Sequence, residues 1–272
     1  MELGKIGVWR RQQAGVDGVA EIEALGYGTL WVGSSPSVAQ ARPFLDASST
    51  LTIATGILNV WQHEPADVAE QRAEVARAFP GRFLLGIGVG HPEATAEYVG
   101  PLAKMTAFLD GLDAAPEPVP PDARVAAALG PKMLDLVAQR SLGTHTYFIT
   151  PEHTRFARER VGPAALVAPE LAVVVEPDDE TARAIARKYA ALYLGLSNYT
   201  NNLLRFGFTE GDVADGGSDR LIDAVVPHGS AQAVAEAVRA HLDAGADHVA
   251  LQPLGHGDAP VADYEALAKA LL

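Results

Sequence analysis

The chain contains no cysteine, which removes disulfides, thiolate nucleophiles and cysteine-ligated metal centres from consideration. Positive charge is also scarce: 21 Lys and Arg against 34 Asp and Glu leave a formal net charge of −13. Nucleic acids and anionic membranes require clustered cations, so neither is expected as a partner, and what remains open is a small ligand in a locally favourable pocket. No apolar run approaches the ~20 residues of a membrane-spanning helix, and the opening MELGKIGVWRR has no signal-peptide core. The cytoplasm is the expected compartment. Missing too are HExxH, the GxSxG elbow and the P-loop, and the histidines form no ligand pair at helical spacing. No metal is therefore expected, and hydrolase and NTPase readings lack support.

What is present is a soluble, globular composition, 48% hydrophobic and 20% charged, which excludes disorder. The pattern is organised around residues 51–92. Two β-prone runs, Leu51–Thr55 and Phe83–Val89, flank a helix-like segment that opens at Pro65 and stops at Phe79-Pro80-Gly81. The same strand–helix alternation extends over the whole chain. Strands are expected at Lys5–Trp9, Gly28–Val32, Arg124–Leu129, Gly143–Thr150, Leu171–Glu176 and His248–Gln252, and helices at Gln12–Leu25, Ser37–Ala47 and Thr95–Leu112 among others. Pro116–Pro121 is too proline-rich for regular structure and offers a place for a domain boundary. The segment 192–226 exceeds what a crossover needs and reads as an insertion after the seventh strand that covers a site. Eight βα units in 272 residues predict one TIM (β/α)8 barrel of the α/β class spanning 1–272, with an open doubly wound sheet as the alternative.

Several motifs carry chemistry. Gly86, Gly88 and Gly90 alternate along and beyond the fourth strand, but no helix follows directly, so they are no dinucleotide fingerprint. Glycines there suggest close approach by a backbone or a flat ligand. His63, His91 and His256 each follow a strand, which in a barrel is the rim where active sites lie. We single out His91 and then His63 as proton-transfer candidates, because each directly follows a strand and an imidazole exchanges a proton near neutral pH. Gly130-Pro131-Lys132 and Gly143-Thr144-His145 offer free N–H groups and polar donors for an anion. Trp9, Trp31 and Trp61 near early strand ends can serve as aromatic walls or as core.

The ordered segments Ala54–Asn59 (ATGILN), Gly81–Gly90 (GRFLLGIGVG), Ala128–Lys132 (ALGPK), Gly143–Tyr147 (GTHTY) and Ala244–Val249 (AGADHV) together resemble the luciferase-like monooxygenase superfamily. Within it the chain is similar to the branch of oxidoreductases that use the deazaflavin coenzyme F420. The resemblance implies a hydride exchanged between C5 of the deazaflavin and a small organic substrate, and a homodimer. It places the ring against the third and fourth strands, at Thr55, Gly56, Ile57, Asn59, Gly88, Val89 and Gly90. Phosphate contacts would fall at Gly130, Pro131, Lys132, Gly143, Thr144 and His145. A cis peptide bond between Gly56 and Ile57 is also implied, with Ile57 as a backstop beneath the ring. The chain departs from the family where an acid and a histidine follow the second strand, having Gly33-Ser34-Ser35 instead, and where a glutamate follows the fourth strand, having His91. An FMN-dependent monooxygenase is the alternative; a barrel that binds its ligand without turnover is another.

Overall fold

The structure, a computed structural model, describes residues 2–91, 93 and 100–272. Strands β1 (Ile6–Arg11), β2 (Thr29–Gly33), β3 (Thr52–Gly56), β4 (Leu58–Asn59), β5 (Phe83–Gly88), β6 (Arg124–Ala126), β7 (Gly143–Thr144) and β8 (Leu166–Val167) follow one another in parallel, with β3 and β4 forming one interrupted strand beside β5. Two residues after β8, strand β9 (Glu170–Val175) pairs with β11 (Val249–Pro253), and β11 pairs with β1. Residues 166–170 close the ring: Ala168 N–H donates to Thr144 O and Glu170 N–H to Thr146 O on one side, while Asp247 N–H reaches Val167 O and Ala250 N–H reaches Pro169 O on the other. The result is a closed parallel (β/α)8 barrel, as the alternation of elements predicts. All eight expected strands are found. A short β10 (His228–Gly229) lies against β9, and its two residues are too few to leave a periodic signal.

Period-two alternation sorts the strand residues. Leu30, Val32, Ile53, Leu85, Ile87, Leu171, Val173, Val249 and Leu251 join the large layer under the helices, while Trp31, Ala54, Leu84, Val125, Ala168 and Ala250 pack with Leu3 inside the barrel. Small inward residues leave space for a polar stack. The Trp31 and His145 rings lie 4.0 Å apart and nearly parallel, and Trp31 Nε1–H donates to His248 Nε2 at 3.0 Å.

The outer helices are α1 (Val19–Ala24), α2 (Val38–Asp46), α3 (Pro65–Ala78), α4 (Pro101–Ala114), α5 (Pro131–Arg140), α6 (Pro151–Val161), α7 (Asp179–Leu194), α11 (Ala231–Asp243) and α12 (Val261–Leu271). Helices α3, α4, α5 and α6 each begin on proline, whose missing N–H is one that a helix start leaves unused. The helix expected over Gln12–Leu25 is shorter than its periodicity suggests. Gly15 and Gly18 adopt positive φ and divide it into a 3₁₀ turn, Gln12–Ala14, and α1. Of the helix expected over Thr95–Leu112, residues 95–99 lie outside the described residues and α4 supplies the remainder. Pro116–Pro121 is no domain boundary: Val119 is buried, its N–H donates to Leu112 O, and its carbonyl accepts from the fully buried Arg124 guanidinium. Segment 192–226 contains α8 (Ser197–Arg205), α9 (Glu210–Val213) and α10 (Asp219–Val225). Tyr199, Leu203, Leu221, Ile222 and Val225 of this segment form a second core with Phe148, Ala172 and Val174. Among the described residues no helix is long and apolar enough to cross a membrane.

Candidate functional site

The C-terminal ends of the strands open into two adjoining cavities. One of 430 Å³ is lined by Trp9, Ser34, Gly56, Ile57, Glu170, Tyr189, Tyr193 and Gln252, among others. The other, of 160 Å³, runs along Val89, Ala127–Gly130 and His145–Tyr147 toward the start of α5. Ile57, Gly90, His91 and Tyr147 line both, so they stand at the junction of one bent cleft.

The junction is shaped by the third and fourth barrel strands. The Gly56–Ile57 peptide bond is cis, as the family resemblance implies, and Ile57 is turned toward β5. A side chain on Gly86 would overlap the Thr55 carbonyl oxygen, and a Cβ on Gly88 would sit 2.5 Å from Ile57 Cδ1. The alternating glycines of β5 therefore form a groove that seats the bulge of the neighbouring strand, and Ile57 becomes a shelf facing the cleft. Thr55 Oγ1 bridges the two strands, donating to Gly86 O and accepting from Gly86 N–H. Trp9 closes the other side, its Nε1–H donating to Gly56 O at 3.1 Å and its ring lying over Gly33.

Of the residues singled out from the sequence, Trp9, Gly56, Ile57, Asn59, Val89, Gly90, His91, Gly130 and His145 line the cleft. The others do not. Thr55 and Gly88 are used in strand packing, as described above. Gly143 begins β7 with Leu166 backbone against its Cα, and Thr144 is buried beside it, one layer below the opening. Pro131 and the exposed Lys132 side chain fall outside the lining, although α5 starts there with no side chain capping its first amides. His63 sits half-buried after β4 and lines neither cavity; the loop carries it away from the junction that His91 reaches.

The His91 ring lies 5.2 Å from that of Tyr199, and its Nδ1 is 3.2 Å from Asn198 Oδ1. With the Nδ1 proton donated there, Nε2 carries the lone pair, and burial lowers the imidazole pKa. His91 is thus a neutral acceptor. Beneath the junction, His145 donates from Nδ1 to Ala168 O at 2.7 Å, burial pushes its pKa down to about 3, and Nε2 has no partner.

Glu170 gave no sequence signal as a site residue. It opens β9 two residues after inward-facing Ala168, so its side chain turns into the barrel one layer above the apolar floor. It is 2% exposed, its Oε1 has no hydrogen-bond partner, and burial alone pushes its carboxyl up to about 8. Gln252 Oε1 on the adjacent strand and Thr146 Oγ1 are likewise buried and unpartnered. Such groups are costly unless something in the cleft satisfies them. Tyr189 and Tyr193 of α7 complete an aromatic wall with Tyr147 and Tyr199.

Residues 10–107 match the model of the luciferase-like monooxygenase family. No curated protein sequence matches the chain. Among solved structures, an F420-dependent secondary alcohol dehydrogenase in complex with an F420–acetone adduct is similar at 15% identity, over 99% of this chain and 98% of that one, with a TM-score of 0.78. The coenzyme F420 dependent tetrahydromethanopterin reductase from Methanopyrus kandleri follows at 14% identity, covering 98% and 99%, with a TM-score of 0.72. The oxygenating constituent of 3,6-diketocamphane monooxygenase from the CAM plasmid of Pseudomonas putida, in complex with FMN, shares 15% identity over 98% and 96%, with a TM-score of 0.68. Identities this low establish a shared fold.

Proposed function

We propose that this luciferase-like barrel is an oxidoreductase that holds a deazaflavin of the F420 type and serves hydride transfer between C5 of the ring and a small organic substrate. The observation that carries the reading is the Ile57 shelf. It stands between a narrow arm leading to the α5 N-terminus and a wider one walled by aromatic side chains, which suits a flat ring with a phosphate-bearing tail on one side and a substrate on the other.

The residues present fit such a group. Gly56, Ile57, Asn59, Val89 and Gly90 would lie along the ring, where glycine lets a planar ligand approach the backbone. The uncapped first-turn amides of α5 and the unpartnered Thr146 hydroxyl would meet the phosphate. When bound, a deazaflavin supplies a two-electron hydride carrier. The chain supplies position and dryness: Tyr189, Tyr193 and Leu196 cover the wider arm, and Asn198 holds the His91 ring at the junction. A small neutral substrate is the expected guest of this arm.

Isothermal titration with oxidised F420 and with FMN tests the reading. Saturable one-to-one binding of F420, weakened at least tenfold by Gly130→Asp, is the expected result. FMN binding without F420 binding would instead establish a flavin-dependent monooxygenase, a second reading favoured by the FMN-bound structural neighbour.

A further inference from the structure

We propose that Glu170 is the acid of this reaction: its carboxyl gives a proton to the oxygen or nitrogen of a carbonyl or imine substrate as hydride reaches the adjoining carbon. The inference rests on the hydride-transfer reading above and adds to it a substrate class, a direction and a proton source.

Three observations carry it. Glu170 lines the wider arm of the cleft while being 2% exposed, so the carboxyl faces the space where a substrate would lie and little else. Its Oε1 is unpartnered, as is Gln252 Oε1 on the neighbouring strand, where Ala250 is in register with Glu170 and Gln252 with Ala172. Two buried, unpartnered polar atoms on neighbouring strands thus line one chamber that Tyr147, Tyr189 and Tyr193 also wall. Finally, among the described residues no cation forms an ion pair with Glu170. The titratable and charged groups facing it across the chamber are Tyr147, Tyr189 and Tyr193, with His91, Arg11 and Lys188 also lining the cavity. Burial raises the three tyrosines, which stay neutral, and depresses His91. Arg11 and Lys188 are exposed at the rim. Glu170 is therefore a carboxylic acid at neutral pH, whereas His91 is an unprotonated base, and environments that push two groups apart in this way divide acid from base.

In the step itself, the substrate C=O or C=N π bond breaks as its carbon gains the hydride and both electrons of the new C–H bond. The heteroatom takes the proton from Glu170, and the reduced deazaflavin, as hydride donor, is left oxidised. The Glu170 carboxylate is then reprotonated by solvent entering the cleft. At neutral pH the resting carboxyl is in the protonation state that the reductive direction uses.

Two measurements on the full chain test this. Infrared difference spectra of the cofactor-free protein at pH 7 should contain a protonated-carboxyl carbonyl band that is absent from Glu170→Gln and disappears as pH rises through about 8. Single-turnover oxidation of reduced F420 by a panel of ketones and imines should slow at least ~100-fold in Glu170→Gln, the scale of general acid catalysis, with F420 affinity within about threefold and the alkaline limb of the rate profile lost. Glu170→Ala gives an independent arm, in which added acetate should restore rate. An ionised Glu170 at pH 7, an undiminished rate in Glu170→Gln, or acetate-independent loss in Glu170→Ala overturns the assignment. If neither wild type nor variant binds F420, the reading of the preceding subsection fails and the step falls with it; normal F420 binding with an unchanged rate removes only Glu170.

Discussion

At the scale of single residues, Glu170 makes a stability prediction that its position in the cleft does not require. Burial pushes its carboxyl from the ordinary glutamate value of 4.5 up to about 8 in the fold. Between those values the unfolded chain has lost the proton and the folded chain has kept it, so stability falls as pH rises from about 4.5 to about 8 and is level beyond. Glu170→Gln removes this cost. Urea unfolding should show the variant's advantage over wild type growing by roughly 1 kcal/mol per pH unit between pH 6 and pH 8. The two histidines make a contrasting pair. His91→Ala opens the junction and deletes the contact to Asn198, and should lower kcat/KM about tenfold or more, whereas His63→Ala, outside the lining, should leave steady-state kinetics within twofold. His91 was legible in the sequence because any residue just past a barrel strand reaches the rim. Glu170 was not, because the strand reads as starting at Leu171, and only the inward-facing set, fixed by Ala168 and Ala250 in the assembled ring, turns a lone acid at the head of an apolar run into a cleft residue.

At the scale of elements, β3 and β5 act as a fitted pair. Gly86→Ala sets a methyl against the Thr55 backbone carbonyl, which cannot yield without breaking the Thr55–Gly86 hydrogen bonds, and should destabilise the fold by about 3 kcal/mol in denaturant titration. Gly88→Ala meets side chains rather than backbone, the Ile57 side chain at Cδ1 and Cγ1 and Ala127 Cβ at 3.3 Å. It should cost less stability, about 1 kcal/mol, yet tilt the shelf and weaken F420 at least tenfold in the same titration that tests binding. The alternating glycines announced close approach from the sequence alone, but not what approaches. Two of the three are filled by the neighbouring strand, and Gly90 alone reaches the cleft. Gly143 misled for the same reason: a glycine beside polar residues suits an anion loop, and here it admits the Leu166 backbone. Such close approaches belong to pairs of strands, so one strand's letters cannot reveal them.

At the scale of the whole molecule, four buried neutral histidines set the acid limit. Burial pushes His145 and His241 down to about 3 and His153 and His248 down to about 4, against 6.5 for a free imidazole. Each supports the fold fully above pH 6.5 and loses that contribution as pH falls, because only the unfolded chain takes up the proton. Below pH 6.5 they act together against Glu170, at roughly 1 kcal/mol per pH unit each. Thermal unfolding should therefore show greatest stability near pH 6.5, with a steep fall by pH 5 and a shallow one toward pH 8. The barrel itself was legible because eight strand–helix units leave a periodic trace. The interior Trp31–His145–His248 stack was not, since three residues far apart in sequence carry no mutual signal until the ring closes.

The seating of Ile57 in the glycine groove has a consequence for descent. The shelf and its socket are written on different strands, so neither can drift alone: a larger residue at position 88 is admissible only once position 57 has become smaller. A lineage that enlarged the socket residue first would pass through a poorly binding intermediate, and one that trimmed the shelf first would pass through a loosely packed one. Homologous barrels should therefore show the two positions changing in compensation, and Gly88→Ala combined with Ile57→Val should recover part of the affinity that Gly88→Ala loses by itself.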